Sequence, residues 1–485
     1  MAAQPMSPWN LRLPADMAAQ LHAHLFPGDG DEHGAVIGAS LIETSRGTRL
    51  LARRLYPARD GIDYVAGQRG YRMLTPSFVR DRIRDCAREG LAYLAVHCHG
   101  GTNHVGFSGD DMASHERGYP ALLDILGGQP VGGLVFARDA IAGDLWLPDG
   151  RRVKLDSAVV AGWPMRELRE APLPAPAGDL TYDRQSRLFG DRGQAILAGQ
   201  KVAVIGAGGA GSLIVEYLAR LGIGHLVVID PDRIDRTNLP RVVGGRFWDA
   251  HTWLTNPTRP AFLRSLGERL ATPKVRVARR VARQANPSIR IEALQADVTQ
   301  NEVAMSLIDC DYLFLAADSM QARLVFNALV HQYLIPGVQV GAKVQVDKNG
   351  TVSDIFSVVR PVGPGFGCLW CNELINPAKL QEEALTAEQL RQQRYVQDEG
   401  VQAPSVITLN AVAIAHAVDD YLMSVTGLLS TTYEPRWQRF HPAAAEFKER
   451  VRYEIPRRDP DCIECSGGGR LGLGHKQRLP TKMGT

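Results

Sequence analysis

Val202-Ala-Val-Ile205-Gly206-Ala-Gly-Gly-Ala-Gly211 is an apolar run followed by closely spaced glycines. Its apolar residues predict a short buried strand, and the glycines predict a tight turn that opens a helix from about Ser212 to Leu221. A second apolar run, Leu226–Ile229, predicts the next strand. Strand, helix and strand in this order predict a βαβ unit in an α/β, Rossmann-like domain with a mostly parallel sheet. The glycines in this spacing are Gly206, Gly208, Gly209 and Gly211.

The residues after the second strand distinguish two kinds of nucleotide site. Asp230 could bind a ribose hydroxyl in a nicotinamide site or in an ATP site. Asn238 and Arg241 follow closely, and a cation here is useful where charge builds up on phosphoryl oxygens. Lys274 can add a second cation, and Asp318 ends an apolar strand where it could hold Mg²⁺. The pattern favours attack on the α-phosphate of ATP over nicotinamide-dependent hydride transfer.

A second group of polar residues lies near the N-terminus, where His97-Cys-His99 ends an apolar run that predicts a strand. Because side chains alternate along a strand, both imidazoles share one face, and a carboxylate about a dozen residues later can supply a third zinc ligand. Three protein ligands leave zinc one position for water, which is typical of a catalytic site. Glu32 is the candidate general base, and Ser108 the candidate donor to an oxyanion. The alternative is a loop of surface histidines.

These residues resemble the motif of the JAMM (JAB/MPN+) metalloproteases, which remove ubiquitin-like proteins from amines. The motif appears as Glu32 before a glycine-containing strand, then His97-Cys-His99, then Ser108-Gly-Asp-Asp111. A glycine replaces the proline that usually follows the second histidine, and one residue more than usual precedes the serine. Asp110 or Asp111 could therefore be the third ligand, and the Ser-x-x-Asp spacing favours Asp111. The resemblance implies a catalytic Zn²⁺.

From Tyr182 to the last cysteine pair, the chain resembles the superfamily of ThiF, MoeB and the ubiquitin-activating enzymes, which adenylate the C-terminal carboxylate of a small β-grasp protein. The resemblance implies ATP and Mg²⁺ as cofactors, with Asp230 at the ribose and Asp318 at the metal. It places Arg241 and Lys274 at the phosphates. Arg184 occupies a position that commonly reaches into the partner subunit's site, which implies a homodimer. The matching residues are Arg184, Gly206, Gly208, Gly209, Gly211, Asp230, Asn238, Arg241, Lys274, Asp318, Arg323 and Asn327.

Two Cys-x-x-Cys pairs, Cys368 with Cys371 and Cys462 with Cys465, fall at positions that this superfamily uses for structural zinc. Each pair can occupy a tight turn, and two such turns together supply four thiolates in a tetrahedron. A redox role is the alternative for such pairs. We therefore expect one structural Zn²⁺ in addition to the catalytic one.

Many members of the superfamily carry a nucleophilic cysteine in a crossover loop, and this chain lacks it. The corresponding segment is Arg394–Val401, with Val396 near the cysteine position, and no cysteine lies between Cys371 and Cys462. A thioester on this chain is therefore not expected. The adenylate would pass to a partner's thiol, to sulfide or to a hydroxyl. Hydroxyl groups in or near the loop belong to Thr386, Ser405 and Thr408.

Composition limits the remaining possibilities. The chain has 485 residues, of which 45% are hydrophobic and 22% charged, and its net charge is +3. The near-neutral charge predicts no nucleic-acid partner, and the lack of an apolar run of about 20 residues predicts no membrane span. Seven cysteines, four of them in Cys-x-x-Cys pairs, suit metal binding in a reducing compartment, so we expect a cytoplasmic location. The predicted divisions are a JAMM-like α/β domain (1–165), a Pro/Ala-rich linker (166–180), an adenylation domain (181–466) and a flexible basic tail (467–485). Residues 245–270 are expected to form an inserted excursion.

Together these features predict a bifunctional enzyme of a bacterial ubiquitin-like conjugation pathway. One domain would cleave a ubiquitin-like protein from a precursor or target, and the other would adenylate its C-terminal glycine. Activation of a sulfur carrier is the alternative. A conjugating-enzyme partner would favour the first interpretation, and a sulfurtransferase partner the second. A non-catalytic scaffold that binds ubiquitin-like proteins is a third hypothesis.

Overall fold

The computed structural model describes residues 7–66, 72–174, 176–346, 352–383, 404–430 and 432–482. Two β-sheets organise the chain: a nine-stranded sheet before residue 170 and an eight-stranded sheet after residue 200. The loop segment Arg394–Val401 and the hydroxyl of Thr386 lie outside the described residues.

The first sheet has the strand order β7-β6-β5-β4-β2-β3-β1-β8-β9 and mixes parallel and antiparallel pairs. Its strands are β1 (Trp9–Pro14), β2 (Gly34–Thr44), β3 (Gly47–Pro57), β4 (Ala92–Cys98), β5 (Val131–Phe136), β6 (Ile141–Trp146), β7 (Arg152–Lys154), β8 (Ser157–Ala161) and β9 (Arg166–Leu168). Three helices accompany it: α1 (Ala15–Leu25), α2 (Pro76–Glu89) and α3 (Gly109–Leu126).

The second sheet has the order β12-β11-β10-β13-β14-β15-β16-β17. The first five strands are parallel and the last three antiparallel. The strands are β10 (Lys201–Ile205), β11 (His225–Ile229), β12 (Arg290–Leu294), β13 (Tyr312–Leu315), β14 (Gly337–Val346), β15 (Val352–Val362), β16 (Trp437–Phe440) and β17 (Val451–Glu454). In its parallel part the order reverses between β10 and β13, which is where ligands bind in sheets of this type.

Helices cover both faces of the second sheet, because successive residues of its strands point to opposite sides. In β10, Val202 and Val204 join one buried apolar cluster while Ala203 and Ile205 join the other. The helices are α4 (Asp183–Gly199), α5 (Gly209–Arg220), α6 (Ala261–Leu270), α7 (Lys274–Ala285), α8 (Asn301–Met305), α9 (Met320–Gln332), α10 (Pro377–Glu383) and α11 (Ile407–Val425). Short 3-10 turns cover Leu180–Tyr182, Arg236–Asn238, Phe447–Glu449 and Gly474–Lys476. None of the described helices is both long and apolar enough to cross a bilayer.

Buried charges join the two sheets. Asp311, just before β13, pairs with Arg12 of β1 at 3.0 Å and with Arg49 of β3 at 3.5 Å. Arg46, on the turn between β2 and β3, pairs with the same carboxylate at 2.5 Å. The guanidinium groups of Arg12 and Arg49 also donate to backbone carbonyls of residues 308–310. The first sheet is therefore attached to the loop before β13 by an arginine cluster that is nearly closed to solvent.

Two predicted segments differ from the sequence expectation. Residues 166–168 of the predicted linker form β9 and pair with β8, so the first sheet extends beyond residue 165. The predicted flexible tail instead packs between the sheets through Leu471 and Leu479, which are 5% and 3% exposed. Backbone carbonyls within the segment accept hydrogen bonds from Arg53 and Gln332. Composition predicted disorder, but the apolar side chains join the buried core and the carbonyls accept hydrogen bonds from β3 and α9.

The arginine cluster gives a stability prediction. Replacing Asp311 with alanine leaves Arg12 and Arg49 buried without a carboxylate, and breaking a buried pair in this way typically costs about 3–5 kcal/mol. We expect a loss of this size in the free energy of unfolding measured by urea denaturation. Asp149→Ala, which breaks an exposed pair with Arg151, is the control and should cause no measurable loss. Equal behaviour of the two variants would contradict the role of the cluster.

A second prediction concerns His331 of α9, which is fully buried with no hydrogen-bond partner for either ring nitrogen. Burial lowers the pKa of His331 to about 3. Below about pH 6.5 His331 therefore binds a proton in the unfolded chain but not in the folded chain. This difference lowers the free energy of unfolding by about 1.4 kcal/mol per pH unit, down to about pH 3. Urea denaturation from pH 8 to 5 should show less acid destabilisation in His331→Leu than in the wild type. Parallel stability curves would contradict this assignment.

Candidate functional site

The side chains of His97, His99 and Asp111 meet at the end of β4. The two Nε2 atoms lie 3.2 Å apart. Each lies 3.4 Å from a carboxylate oxygen of Asp111. A tetrahedral zinc with bonds near 2.0–2.1 Å places its ligand atoms about 3.3 Å apart, so these three residues fit zinc and leave a fourth position. Asp110 is not part of this cluster.

The backbone explains why these three side chains converge. His97 and His99 lie two residues apart at the end of β4, so their side chains share a face of the sheet. Asp111 lies in the first turn of α3, where Ser108 and Asp111 form a capping box. A carbonyl oxygen, that of Gly106, lies 3.1 Å from His99 Nδ1 and leaves Nε2 free for a metal.

The capping box also occupies the hydroxyl of Ser108. That hydroxyl donates to Asp111 Oδ2 at 2.7 Å and accepts from Asp111 N at 3.1 Å. Burial alone would raise the pKa of Asp111, but hydrogen bonds from His97 and Ser108 hold it well below its usual range. A hydroxyl has one proton, so the predicted donation of Ser108 to an oxyanion requires it first to release the carboxylate.

Glu32 lies at the edge of the same cluster. It precedes β2, and its Oε1 is 3.8 Å from His99 Nε2. Its side chain is about one-third exposed, so water reaches the carboxylate. The structure thus brings together the four residues that the sequence grouped: Glu32, His97, His99 and Asp111.

A buried network beside this cluster was missed by the sequence reasoning. His115 Nδ1 lies 2.8 Å from Asp144 Oδ2, and Arg152 contacts the same carboxylate through Nε at 2.5 Å. Burial would raise the pKa of Asp144, but hydrogen bonds from His115 and Arg152 lower it to about 2. His115 lies one helical turn after Asp111 on α3, so the i, i+4 spacing could have indicated that the two side chains share a face of the helix. The network attaches the helix that carries Asp111 to β6.

The glycine-rich turn lies at the reversal point of the second sheet. Gly206 has φ +96°, which favours glycine, and a Cβ there would lie 2.9 Å from the carbonyl of Ala316. A Cβ on Gly211 would lie 1.8 Å from the carbonyl oxygen of Gly206. Helix α5 begins at Gly209, three residues before the predicted start, so its free N–H groups face the turn. This arrangement suits a phosphate group.

The acid at the end of β11 is fixed by its neighbours. Asp230 Oδ2 accepts from Ala207 N at 2.7 Å, and Oδ1 accepts from Asp232 N at 2.8 Å. Burial raises the pKa of Asp230, while the Lys274 ammonium, 3.9 Å away, opposes this rise. The same ammonium lies 2.7 Å from Asp232 Oδ2. Lys274 therefore lies beside the ribose acid predicted from the sequence.

The other predicted nucleotide-binding residues take different positions. The side chain of Arg241 passes Gly209, since a Cβ there would lie 3.3 Å from Arg241 Cδ. Arg241 makes no ion pair with any described residue, so its charge is available to a ligand. Asn238 is 4% exposed and forms a capping box with Asp235, so its side chain holds the 3-10 turn Arg236–Asn238. Arg184 is exposed on α4 and joins no contact with these residues in the described chain, so its role across a subunit interface stays a prediction.

Asp318 lies at the same edge of the sheet as the glycine-rich turn. Ile205 of β10 pairs with Leu315 of β13, and Ala316 N donates to Ile205 O at 2.8 Å. Asp318 follows two residues later and is exposed. Its carboxylate is therefore available near the glycine-rich turn, where the sequence predicts Mg²⁺.

The four paired cysteines form a compact cluster. The Sγ atoms of Cys368 and Cys371 are 3.5 Å apart, those of Cys368 and Cys462 3.8 Å, and those of Cys371 and Cys465 3.6 Å. Tetrahedral zinc with bonds near 2.3 Å separates its sulfurs by about 3.8 Å, so the four thiolates fit a closed zinc site.

Asn327 of α9 joins the two cysteine turns, a role that the sequence reasoning did not foresee. Its Oδ1 accepts from Leu369 N at 3.0 Å, inside the first Cys-x-x-Cys, and its Nδ2 donates to Glu464 at 3.1 Å, inside the second. Arg323, one turn earlier, donates to Leu374 O at 2.9 Å. These two matched residues therefore hold the backbone of the cysteine turns and of the residues that follow the first turn.

Comparisons with known proteins support the predicted family for the second half of the chain. The model of the ThiF family matches residues 182–463. SAMP-activating enzyme E1 of Haloferax volcanii is 30% identical over 193 residues, which cover 39% of this chain and 62% of that protein. Sulfur carrier protein adenylyltransferase of Thermus thermophilus is 29% identical over 191 residues, or 39% and 63% of the two chains. The chain thus spans less than two-thirds of the length of these relatives.

Among solved structures, E. coli MccB with ATP aligns at a TM-score of 0.42 and 18% identity, covering 61% of this chain and 76% of that one. A TM-score this low adds nothing to the family match. The matching family model begins after the His97 cluster, so the family match concerns the second half of the chain alone.

The two ligand clusters predict two zinc ions per chain. His97→Ala should remove one zinc and leave the protein folded, because that cluster lies at the partly exposed end of β4 and outside the apolar core. Cys462→Ser should remove the other and lower Tm by roughly 5 °C or more, because the three remaining cysteines lose the ion that would join the two turns. Elemental analysis after gel filtration and thermal unfolding measure both effects.

Asp110→Ala and Asp111→Ala form a matched pair that tests the third ligand. Asp111→Ala should lose one zinc, whereas Asp110→Ala should keep both. The reverse result would show that the metal is held by a different arrangement from the one described.

Proposed function

This chain belongs to the ThiF family, and we propose that it is a two-site enzyme acting on the C-terminal acyl group of a small ubiquitin-like protein. The second domain adenylates the C-terminal glycine with ATP and Mg²⁺. The JAMM-like first domain hydrolyses the bond that joins the same glycine to an amine or to a precursor extension. The observation that carries the proposal is the group of Asp230, Lys274 and Arg241 around the glycine-rich turn.

The adenylation step needs position and charge more than chemical groups from the protein. The carboxylate of the substrate forms a bond to the α-phosphorus of ATP, and the bond from that phosphorus to the bridging oxygen breaks, releasing pyrophosphate. Asp230 is placed to hold the ribose, while the cations of Arg241 and Lys274 offset charge on the phosphoryl oxygens. Asp318 can hold the Mg²⁺ that accompanies the leaving pyrophosphate.

The hydrolytic step is supported by the fit of His97, His99 and Asp111 to a three-ligand zinc site. A zinc held there would polarise the carbonyl and lower the pKa of water. Glu32 can take a proton from the attacking water and give it to the leaving amine as the carbon–nitrogen bond breaks. The buried contacts of His115 and Asp144 keep α3, and so Asp111, in position.

The second candidate function is activation of a sulfur carrier, favoured by the match to a protein named sulfur carrier protein adenylyltransferase. In that case sulfide would attack the carbonyl carbon of the adenylate, AMP would leave, and the product would be a thiocarboxylate. The lack of a cysteine between Cys371 and Cys462 is compatible with both functions. Transfer to a conjugating enzyme distinguishes the first function, and formation of a thiocarboxylate the second. In either case we expect a homodimer with Arg184 near the partner's site.

The decisive experiment mixes the protein with ATP, Mg²⁺ and small β-grasp proteins encoded near its gene, and follows their intact mass. Loss of residues after a glycine reports hydrolysis, and gain of AMP reports activation. Glu32→Gln should abolish the first change and retain the second. Asp318→Asn should abolish the second and retain the first, because the two sites lie on different sheets.

Three results would contradict the proposal. Loss of both activities in either variant would refute the division of labour between the two sites. Absence of AMP transfer and of pyrophosphate exchange with every β-grasp protein would favour a non-catalytic scaffold. A folded Glu32→Gln variant that still cleaves would remove Glu32 from the proton transfer.

A further inference from the structure

The segment that joins the two phosphate-site cations, Arg241 and Lys274, carries an insert, residues 245–270. Both of its ends start from the nucleotide site. Lys274 N donates to Asp232 O, and Ile234 N donates to Thr272 O, so the return of the insert runs beside the Asp230 loop. Whatever binds the insert therefore lies next to the phosphate-binding turn.

The insert buries one side and exposes large apolar side chains on the other. Ala250 and Leu254 are buried, and Gly267 of α6 lies against Leu254, since a Cβ there would lie 2.7 Å from Leu254 Cβ. At 100° per residue, Phe262 and Leu266 share the adjoining edge of α6, with Leu270 between them and the buried side. The exposed apolar side chains, which we call the apolar patch, are Phe247 (71%), Trp248 (79%), Trp253 (58%), Phe262 (71%), Leu266 (46%) and Leu270 (53%).

The apolar patch is as large as the largest apolar patches that monomers usually expose. Aromatic side chains of this kind have about 150–250 Å² each, so its four aromatic residues alone expose about 400–700 Å². The largest apolar patch on a typical monomer is about 300–600 Å² and often functional. Tight turns hold the loop, with His251 N donating to Trp248 O and Leu254 N to His251 O, so the exposure belongs to an ordered surface.

The segment that carries the apolar patch is strongly positive. Residues 241–283 contain ten Lys and Arg but two Asp and Glu, in a chain whose net charge is +3. Among the described residues, Lys274 pairs with Asp232 and Arg280 pairs with Asp249. The other cations of this segment make no ion pair within the described chain: Arg241, Arg246, Arg259, Arg264, Arg269, Arg276, Arg279 and Arg283.

We propose that the insert is the docking surface for an acidic protein partner, and that this partner is the acyl substrate. This inference rests on the proposed function and adds the surface that selects the substrate. An apolar patch on a segment rich in arginine is typical of a protein interface, which has an apolar centre and a polar rim. A negative face on the substrate would be steered to the patch and would bring its C-terminal carboxylate to the nucleotide site.

Two other occupants fit the surface less well. A second copy of this chain, placed by a two-fold axis on the same patch, would bring two strongly positive segments together. Single-stranded nucleic acid would use the arginines and aromatic rings, but Leu266 and Leu270 offer no stacking surface for bases. An acidic protein uses the cations and the aliphatic side chains together.

The test compares two variants of the insert with the wild type. Phe262→Ser/Leu266→Ser removes apolar contacts, and Arg264→Glu/Arg269→Glu reverses exposed charges on α6. The matched control for the charge change is Arg84→Glu/Arg117→Glu, on exposed positions of α2 and α3 without ion pairs in the described chain. Thermal unfolding confirms that each variant is folded.

Calorimetry without nucleotide measures the Kd for each candidate β-grasp protein, and pyrophosphate exchange measures KM for that protein and for its C-terminal heptapeptide. Both insert variants should weaken Kd and KM for the whole protein at least tenfold. The KM for the heptapeptide and for ATP should not change, and neither should any value in the control. Raising salt should weaken binding by the wild type more than by the charge-reversal variant.

The alternative outcomes separate failure of the docking surface from failure of the proposed function. Unchanged Kd and KM in folded insert variants would exclude the surface. A raised KM for ATP would show that the cations serve the nucleotide alone. Conversion of a dimer to a monomer, seen by light scattering, would identify a second copy as the occupant, and loss of tight binding to a uridine 20-mer would identify nucleic acid. Binding through the patch without exchange would refute the proposed function and keep the docking site, whereas no binding by any β-grasp protein would refute both.

Discussion

The arrangement of the whole molecule depends on the carboxylate of Asp311 and the arginines around it. Arg12 and Arg49 come from two strands of the first sheet, and Asp311 lies immediately before a central strand of the second. Buried charges are stable only while they are paired, so the sheets cannot separate without exposing or stranding a charge. Ile42 and Leu51 of the first sheet also belong to the apolar cluster of the second, together with Leu471 and Leu479. The position of one site relative to the other is therefore determined by this junction.

In the histidine cluster, one pair of residues takes part both in the start of a helix and in the predicted metal site. Ser108 and Asp111 begin α3 as a capping box, and the same carboxylate faces His97 and His99 at the spacing of zinc ligands. Helix start and metal ligand cannot be varied independently, because a change in the cap would move the ligand. The cysteine cluster also depends on one residue of the fold, since Asn327 of a core helix forms hydrogen bonds with the turns of both pairs.

The parts of the structure that sequence predicted are those with a local period or spacing. The βαβ unit at 202–229, the histidine pair and the cysteine pairs all depend on neighbours along the chain, and the structure brings each group together. The predicted tail was wrong, because the burial of Leu471 and Leu479 depends on surfaces that only the folded sheets create. The same reason hid the pairing of His115 with Asp144, which lie on different elements, and the position of Asn327. Spacing favoured Asp111 and left Asp110 open, and the geometry of the helix cap places Asp111, and not Asp110, beside the two histidines.

The net charge of the whole chain hides a strongly positive segment. A net charge of +3 over 485 residues suggests no strong electrostatic preference, yet ten cations and two acids fall between residues 241 and 283. Since the whole chain is nearly neutral, the remainder must be net acidic, and the molecule is polarised with its positive side at the nucleotide site. Unpaired arginines repel one another and destabilise the segment that holds them, so folding alone gives no reason to keep them there. The same field attracts ATP, pyrophosphate and acidic protein surfaces, but only a protein surface can cover the apolar patch of Phe262, Leu266 and their neighbours. The combination of unpaired charge and exposed apolar area at one edge of the site therefore argues for a macromolecular substrate over a small one.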